Sequence, residues 1–217
     1  MDWDKALERN TLALLRIVGA LFALLVSARF AGSGLMIPRH VWHSILLVLR
    51  PAESAVRRLI IIAARTLVSP APKPRPRVSD APRPSADASP TTFSDAPVFH
   101  LFDPLKRFEL ISDDAERFSE GSGPFGADVP EDTPINGEPL HNRLRALRNA
   151  LADLPKQAQR LARFNAKRDA MLKVGKPVRI SLMRPGLPPG WRERGKHEVD
   201  TVLKECHQLV RILEDTS

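Results

Sequence analysis

At 217 residues, 43% hydrophobic and with a net charge of +8, the chain is long enough for one domain and part of a second. Twenty prolines, no Tyr and only 6% aromatics argue against a large aromatic core and for extended segments between helices. The single Cys, Cys206, excludes an internal disulfide, so nothing in the sequence requires an oxidising compartment.

The charge is unevenly spread. Residues 1–69 hold nine Lys/Arg against four acids, 98–137 hold three against nine, and 138–217 hold seventeen against nine. Blocks of opposite sign suit a polyanion at the basic parts, or an acidic loop docked on basic helices.

The first element is the apolar run at 11–28, TLALLRIVGALFALLVSA, preceded by a polar stretch; Asn10 and Thr11 are candidate caps, although the charges suggest that the helix starts near Asp2 or Asp4. From Leu12 to Ala28 the only charge is Arg16. Those residues make a helix of about 26 Å, slightly short of a hydrocarbon core of ~30 Å. Arg16 lies one turn in and can reach back to the headgroups. A single span at about 11–30 is the expectation. A cleaved signal peptide ending at Val26-Ser27-Ala28 and a buried core helix are the competing readings.

After the break at 31–34 comes PRHVWHSILLVLRPAESAVRRLIIIAARTLV, at 38–68. Arg50, Glu53, Arg57 and Arg58 at its centre each oppose insertion by about 2.5–3.5 kcal/mol. The periodicity sets Val41, Ile45, Val48, Ala55, Val56, Leu59 and Ala63 opposite the charges. Pro51 suits the first turn of a second helix. The expectation is an amphipathic pair in the interface, with Arg50, Arg57, Arg58 and Arg65 on anionic headgroups and Trp42 at the boundary. A helix pair folded back on the first helix, and a two-span hairpin, remain the alternatives. His40 and His43 share a helical face but have no carboxylate or Cys nearby, so no metal site is expected.

Residues 69–97 hold eight of the prolines, with PAPKPRP alternating in the manner of an extended polyproline tether of up to about 90 Å. Phe93, Phe99, Phe102, Phe108, Phe118 and Phe125 gather six of the nine Phe, and among them VFHLFDPLKRFEL, at 98–110, reads as an aromatic strip, extended and laid on a helical surface. An acidic loop at 111–137 lacks the spacing of a calcium loop.

Pro139 opens the clearest periodic signal, in which Leu140, Leu144, Leu147, Leu151, Leu154, Ala158 and Leu161 step by four and three. Pro155 should kink or restart this helix, with Asp153 as a cap. The seam suits a homo-oligomer or another protein partner, or packing on the final helix at about 196–213; the last is expected, because Val199, Val202, Leu203, Cys206, Leu209, Val210 and Leu213 supply a matching face.

Between those helices, Val178, Ile180 and Leu182 read as a short extended stretch. Arg184, Trp191, Arg192, Arg194 and Lys196 surround a Pro/Gly turn. Arginines beside an exposed Trp suit an anion or a partner; a solvated loop with Trp191 folded onto the core is the plainer reading. Adjacent helical residues point about 100° apart, so Cys206 and His207 form no dyad. No Gly-rich phosphate loop, serine elbow or paired-cysteine motif occurs in the sequence.

The runs LPPGWRERGKHEVDTVLKECH and RPAESAVRRLIIIAAR resemble an uncharacterised family of bacterial, alphaproteobacterial proteins. That resemblance implies membrane association and carries over no functional residue.

The sequence thus predicts a mainly α chain. A membrane-associated helical region at 1–68 is followed by a disordered Pro-rich linker at 69–97 and a hairpin-like helical tail at 98–217. The expected function is a non-enzymatic membrane-anchored interaction or scaffold protein, without metal or cofactor, at the bacterial inner membrane with its tail in the cytoplasm. Its expected partner is anionic lipid or a protein; nucleic-acid binding by the basic tail is the alternative.

Overall fold

The computed structural model describes residues 2–28, 35–67, 97–104, 134–175 and 183–215. The linker up to residue 96, the acidic loop up to residue 133, the stretch at 178–182 and Phe93, Phe108, Phe118 and Phe125 lie outside them. The described residues are mainly helical: α1 (Trp3–Ser27), β1 (Met36–Pro38), α2 (Arg39–Ala64), β2 (Pro134–Asn136), α3 (Glu138–Ala152), α4 (Leu154–Lys173) and α5 (Glu198–Asp215).

α2 is the axis of the fold, packed against α1, α3, α4 and α5. From Pro51 to Ile60 every residue but Glu53 is buried, the two arginines included. Ala52 and Ala55 let neighbouring elements approach closely, while Leu49, Leu59 and Ile62 fill the space between them. Each of these larger aliphatics contributes roughly 1.5–3 kcal/mol by leaving water. The apolar faces of all five helices join in one core cluster, so the N-terminal helices form the centre of the same core that the C-terminal helices close.

Two sequence expectations are corrected along α2. It is one continuous helix rather than two, with Pro51 inside it. Pro51 has no N–H for the carbonyl of Leu47, one turn earlier. Arg192 takes that place, donating from Nη2 to Leu47 O at 2.7 Å. A side chain distant in sequence thus satisfies the backbone at the proline, which no local signal announces.

The Asp153 cap and the early start of α1 follow the sequence, whereas the cap of α1 is Asp2 rather than Asn10 or Thr11. Asp2 accepts from Lys5 N at the start of α1, and Asp153 accepts from Lys156 N where Pro155 restarts the chain as α4. Leu140, Leu144, Leu147, Leu151, Ala158 and Leu161 are all buried, with Leu154 half-buried. Their seam packs on α1 and α2, rather than on the final helix, whose own face packs on α2 and α1. α2 stands between the two expected partners, and its charges mask in the sequence its capacity to be a core helix.

β1 and β2 pair antiparallel with Ile37 opposite Ile135. This three-residue ladder lacks a hydrophobic alternation long enough to read from sequence. Gly137 N donates to Leu35 O at 2.7 Å and extends the pairing into α3.

Candidate functional site: a buried arginine cluster beside an open cavity

On the middle turns of α2, Glu53, Arg57 and Arg58 project toward an extended segment, 97–104, that carries Asp103. Arg58 is wholly buried, Arg57 is 7% exposed and the Asp103 side chain 1%. Arg58 donates from Nη1 to Ser54 O at 2.8 Å, from Nη2 to Asp103 Oδ2 at 3.3 Å and from Nε to His207 Nδ1 at 3.3 Å. Arg57 donates from Nε to His100 O at 3.0 Å. Its terminal nitrogens stand 3.5 Å from Asp103 Oδ1 and 3.8 Å from Glu53 Oε2. Arg143 of α3 clamps Glu53 through Nε and Nη2, both at 3.0 Å.

Aromatic groups complete the cluster. The Arg57 guanidinium lies 5.5 Å from the Phe99 ring centre, and Phe102 meets Phe164 edge-on at 5.0 Å. Arg160 holds Phe99 O at 2.8 Å, pinning the extended segment to α4. Desolvation lowers both buried arginines from their ordinary value, while Asp103, and for Arg57 first Glu53, act in the opposite sense. Buried charges of this kind persist only when paired.

The expectation that Arg57 and Arg58 meet lipid headgroups is therefore corrected. Periodicity assigns a charge stripe to solvent, but a distant carboxylate supplies these two with a buried partner. Arg65 is mostly buried too, bonded to Asp4 Oδ1 at 3.1 Å and stacked 5.5 Å from the Trp3 ring centre. Of the four expected headgroup residues, Arg50 alone is exposed. The sequence singles out neither Asp103 nor His100; an Asp before Pro104 gives no signal of a buried pair.

Glu53, Arg57, Asp103 and Arg143, with His100 and Asn142, also form the polar side of an open cavity of about 660 Å³, whose other walls include Val98, Phe99, Phe102 and Ala146.

The second expected site, at 184–196, is a clasp on α2. Gly190, at φ +81°, lies directly against Pro51, and Ser54 Oγ donates to Pro189 O at 2.8 Å. Trp191 is half-buried against the core, edge-on to His207 at 5.6 Å with Lys204 Nζ 5.8 Å from its ring centre. Arg192 turns inward to Leu47 O and Asp200, and Arg184 donates its backbone N–H to Asp103 at 3.4 Å. Arg194 and Lys196 alone of the five are exposed. At the start of α5, Asp200 Oδ2 accepts from Lys196 N and His197 N, while His197 Nδ1 accepts from Val199 N; this is a capping arrangement.

Cys206 is buried among apolar side chains, which push its thiol up to about 12. His207 is held below the usual imidazole value by burial and then by the charges of Arg58 and Arg211, with Asp103 opposing. Its Nδ1 accepts from Arg58 only when unprotonated. The neutral form is thus favoured in the folded state, so this contribution to stability is complete above the ordinary imidazole pKa and is lost as pH falls through the folded-state pKa. The melting temperature should drop between pH 7.5 and 5, and His207→Gln should flatten that drop. The flattening is partial, because burial and then Arg39 and Arg50 lower His43 in the same direction. An unchanged profile in the variant would remove His207 from this role.

Among the described residues, α1 is the one helix long and apolar enough to cross a membrane, with a mean hydropathy of 1.9 over its best window, a third of which is buried. Its inner face, Leu14, Ile17, Val18, Leu21 and Leu25, belongs to the core. Arg9 and Arg16 pair with Glu205 and Glu198 of α5. Leu12, Leu24 and Val26 remain exposed, at 60%, 39% and 61%. Compared with models of known protein families, with curated proteins and with solved structures, the chain matches none.

Proposed function

We infer that this is a non-enzymatic interaction protein of the bacterial inner membrane, seated on the lipid by the outward face of α1 with its helical bulk on the cytoplasmic side. One observation carries the reading. With the inner side of α1 packed away, Leu12, Leu24 and Val26 stay in the open with Gly19, Ala20 and Ala23 among them, and Arg16, exposed on the same face, has its charge paired with Glu198. An apolar helix face on a folded charged body suits the membrane interface.

The packing favours an in-plane seat over a through-span. α1 is tied to Glu198 and Glu205, and each ionised side chain drawn to the bilayer centre costs about 2.5–3.5 kcal/mol on the lenient scale. Crossing the bilayer would require α1 to leave α5 and its core contacts. The nucleic-acid reading has less support, because Arg143, Arg160 and Arg192 are engaged by protein acceptors and Trp191 is packed under Lys204.

Membrane fractionation tests this. The full chain should pellet with membranes at neutral pH and be released by alkaline carbonate, and Leu12→Glu with Val26→Glu should leave it soluble. A wild-type chain that stays soluble beside membranes would end the reading; retention through the carbonate wash would favour the span.

A further inference from the structure

The cavity beside the arginine cluster is used by nothing proposed so far. At about 660 Å³ it lies within the size range of small-molecule sites, and it has the common division into an apolar wall and a few convergent polar groups. Three guanidiniums, Arg57, Arg58 and Arg143, share two carboxylates, Glu53 and Asp103. Among the described residues, one positive charge is left over. The under-coordinated group is Arg57, which lines the cavity: among the described residues only its Nε bond, at 3.0 Å, has normal hydrogen-bond length, and its terminal nitrogens meet carboxylates at 3.5 and 3.8 Å. A guanidinium has five N–H donors, so the terminal N–H groups of a nearly buried cation are only loosely engaged. Arg143, half-exposed at the same end, uses Nε and Nη2 on Glu53 and keeps Nη1 for another acceptor.

Asp103 Oδ1 makes no hydrogen bond among the described residues and opposes a second negative charge beside it. Glu53, by contrast, is neutralised by the bidentate Arg143, which leaves the space between Arg57 and Arg143, rather than over Asp103, for an incoming anion. Val98, Phe99 and Phe102 would flank its body. Val98 is itself 64% exposed and would be covered by an occupant.

We propose that this cavity binds an amphiphilic organic monoanion, its charged oxygens held by Arg57 and Arg143 and its apolar body against Val98, Phe99 and Phe102. The same chemistry is found in a small aromatic acid and in a single-chain acyl anion released from lipid, and the shape of the probe separates the two. The site does not depend on α1 touching a membrane, so it is tested without vesicles.

The full-length chain is melted with decanoate, decanol, decyltrimethylammonium or phenylacetate, each below its micellar concentration where it has one. Decanoate or phenylacetate should raise the melting temperature saturably, whereas decanol and the cation should not. Whichever acid acts names the source: decanoate an acyl anion, phenylacetate a small aromatic acid, both a site indifferent to tail shape. Arg143→Gln should weaken the effective acid at least about tenfold, as expected for loss of one charge-assisted hydrogen bond. Val98→Trp fills the cavity from an exposed position and should abolish the shift without touching the cluster. Equal stabilisation by decanol, a shift that survives Val98→Trp, or no shift with either acid would each overturn the proposal.

Discussion

Asp103→Ala should lower the unfolding free energy by about 3–5 kcal/mol, the cost of removing one partner from a buried ion pair. Arg58 is wholly enclosed, and Asp103 is the only carboxylate paired with it among the described residues. Arg57 would keep Glu53, but at 3.8 Å, and Arg184 N would lose its acceptor. A loss of that size is a large part of the roughly 5–15 kcal/mol that stabilises an ordinary domain. Urea denaturation measures it. The companion variant Arg58→Met with Asp103→Leu should recover a good part of the loss, since apolar replacement of a buried pair is often neutral. A loss under about 1 kcal/mol for Asp103→Ala would mean that the pair is open to water.

Gly190→Ala should cost about 2–4 kcal/mol, from two separate causes. The residue sits at φ +81°, where a side chain strains the backbone, and a Cβ there would lie 2.6 Å from Pro51 N and 2.7 Å from its Cδ. Neither atom can swing aside, so the clasp must lift. Lifting it draws Arg192 off Leu47 O and leaves the carbonyl at the proline unpaired. Gly186 provides the control: it has φ +84° with nothing within 4 Å of a Cβ. Gly186→Ala should show the backbone part alone, so equal urea midpoints for the two variants would remove the clasp from the account.

What the sequence conveys is local. Asp153 can be read as a cap because a cap acts within three residues, and Leu140 to Leu151 read as a seam because its period is written along one helix. Cys206 falls on an apolar face for the same reason. What the sequence hides depends on partners far along the chain. Arg57 and Arg58 look solvated because nothing nearby neutralises both; Asp103 is 45 residues beyond Arg58. Pro51 looks like a helix start because the group that mends its break, Arg192, lies 145 residues after Leu47. Trp191 and its four cations suggest a grip on an outside anion, yet Arg192 turns inward to Leu47 O, Arg184 spends its guanidinium on Leu187 O of the same loop, and only Arg194 and Lys196 are exposed.

In the proposed seat, α1 stays docked on α5 while its outer face meets lipid. Arg16→Cys with Glu198→Cys, in a Cys206→Ala background, places two thiols where the ion pair stands. A short bis-maleimide should join them equally in vesicle-free protein and in protein bound to anionic vesicles. Crosslinking in the free protein that disappears on the vesicles would show that α1 leaves the core to enter the membrane, contradicting the account.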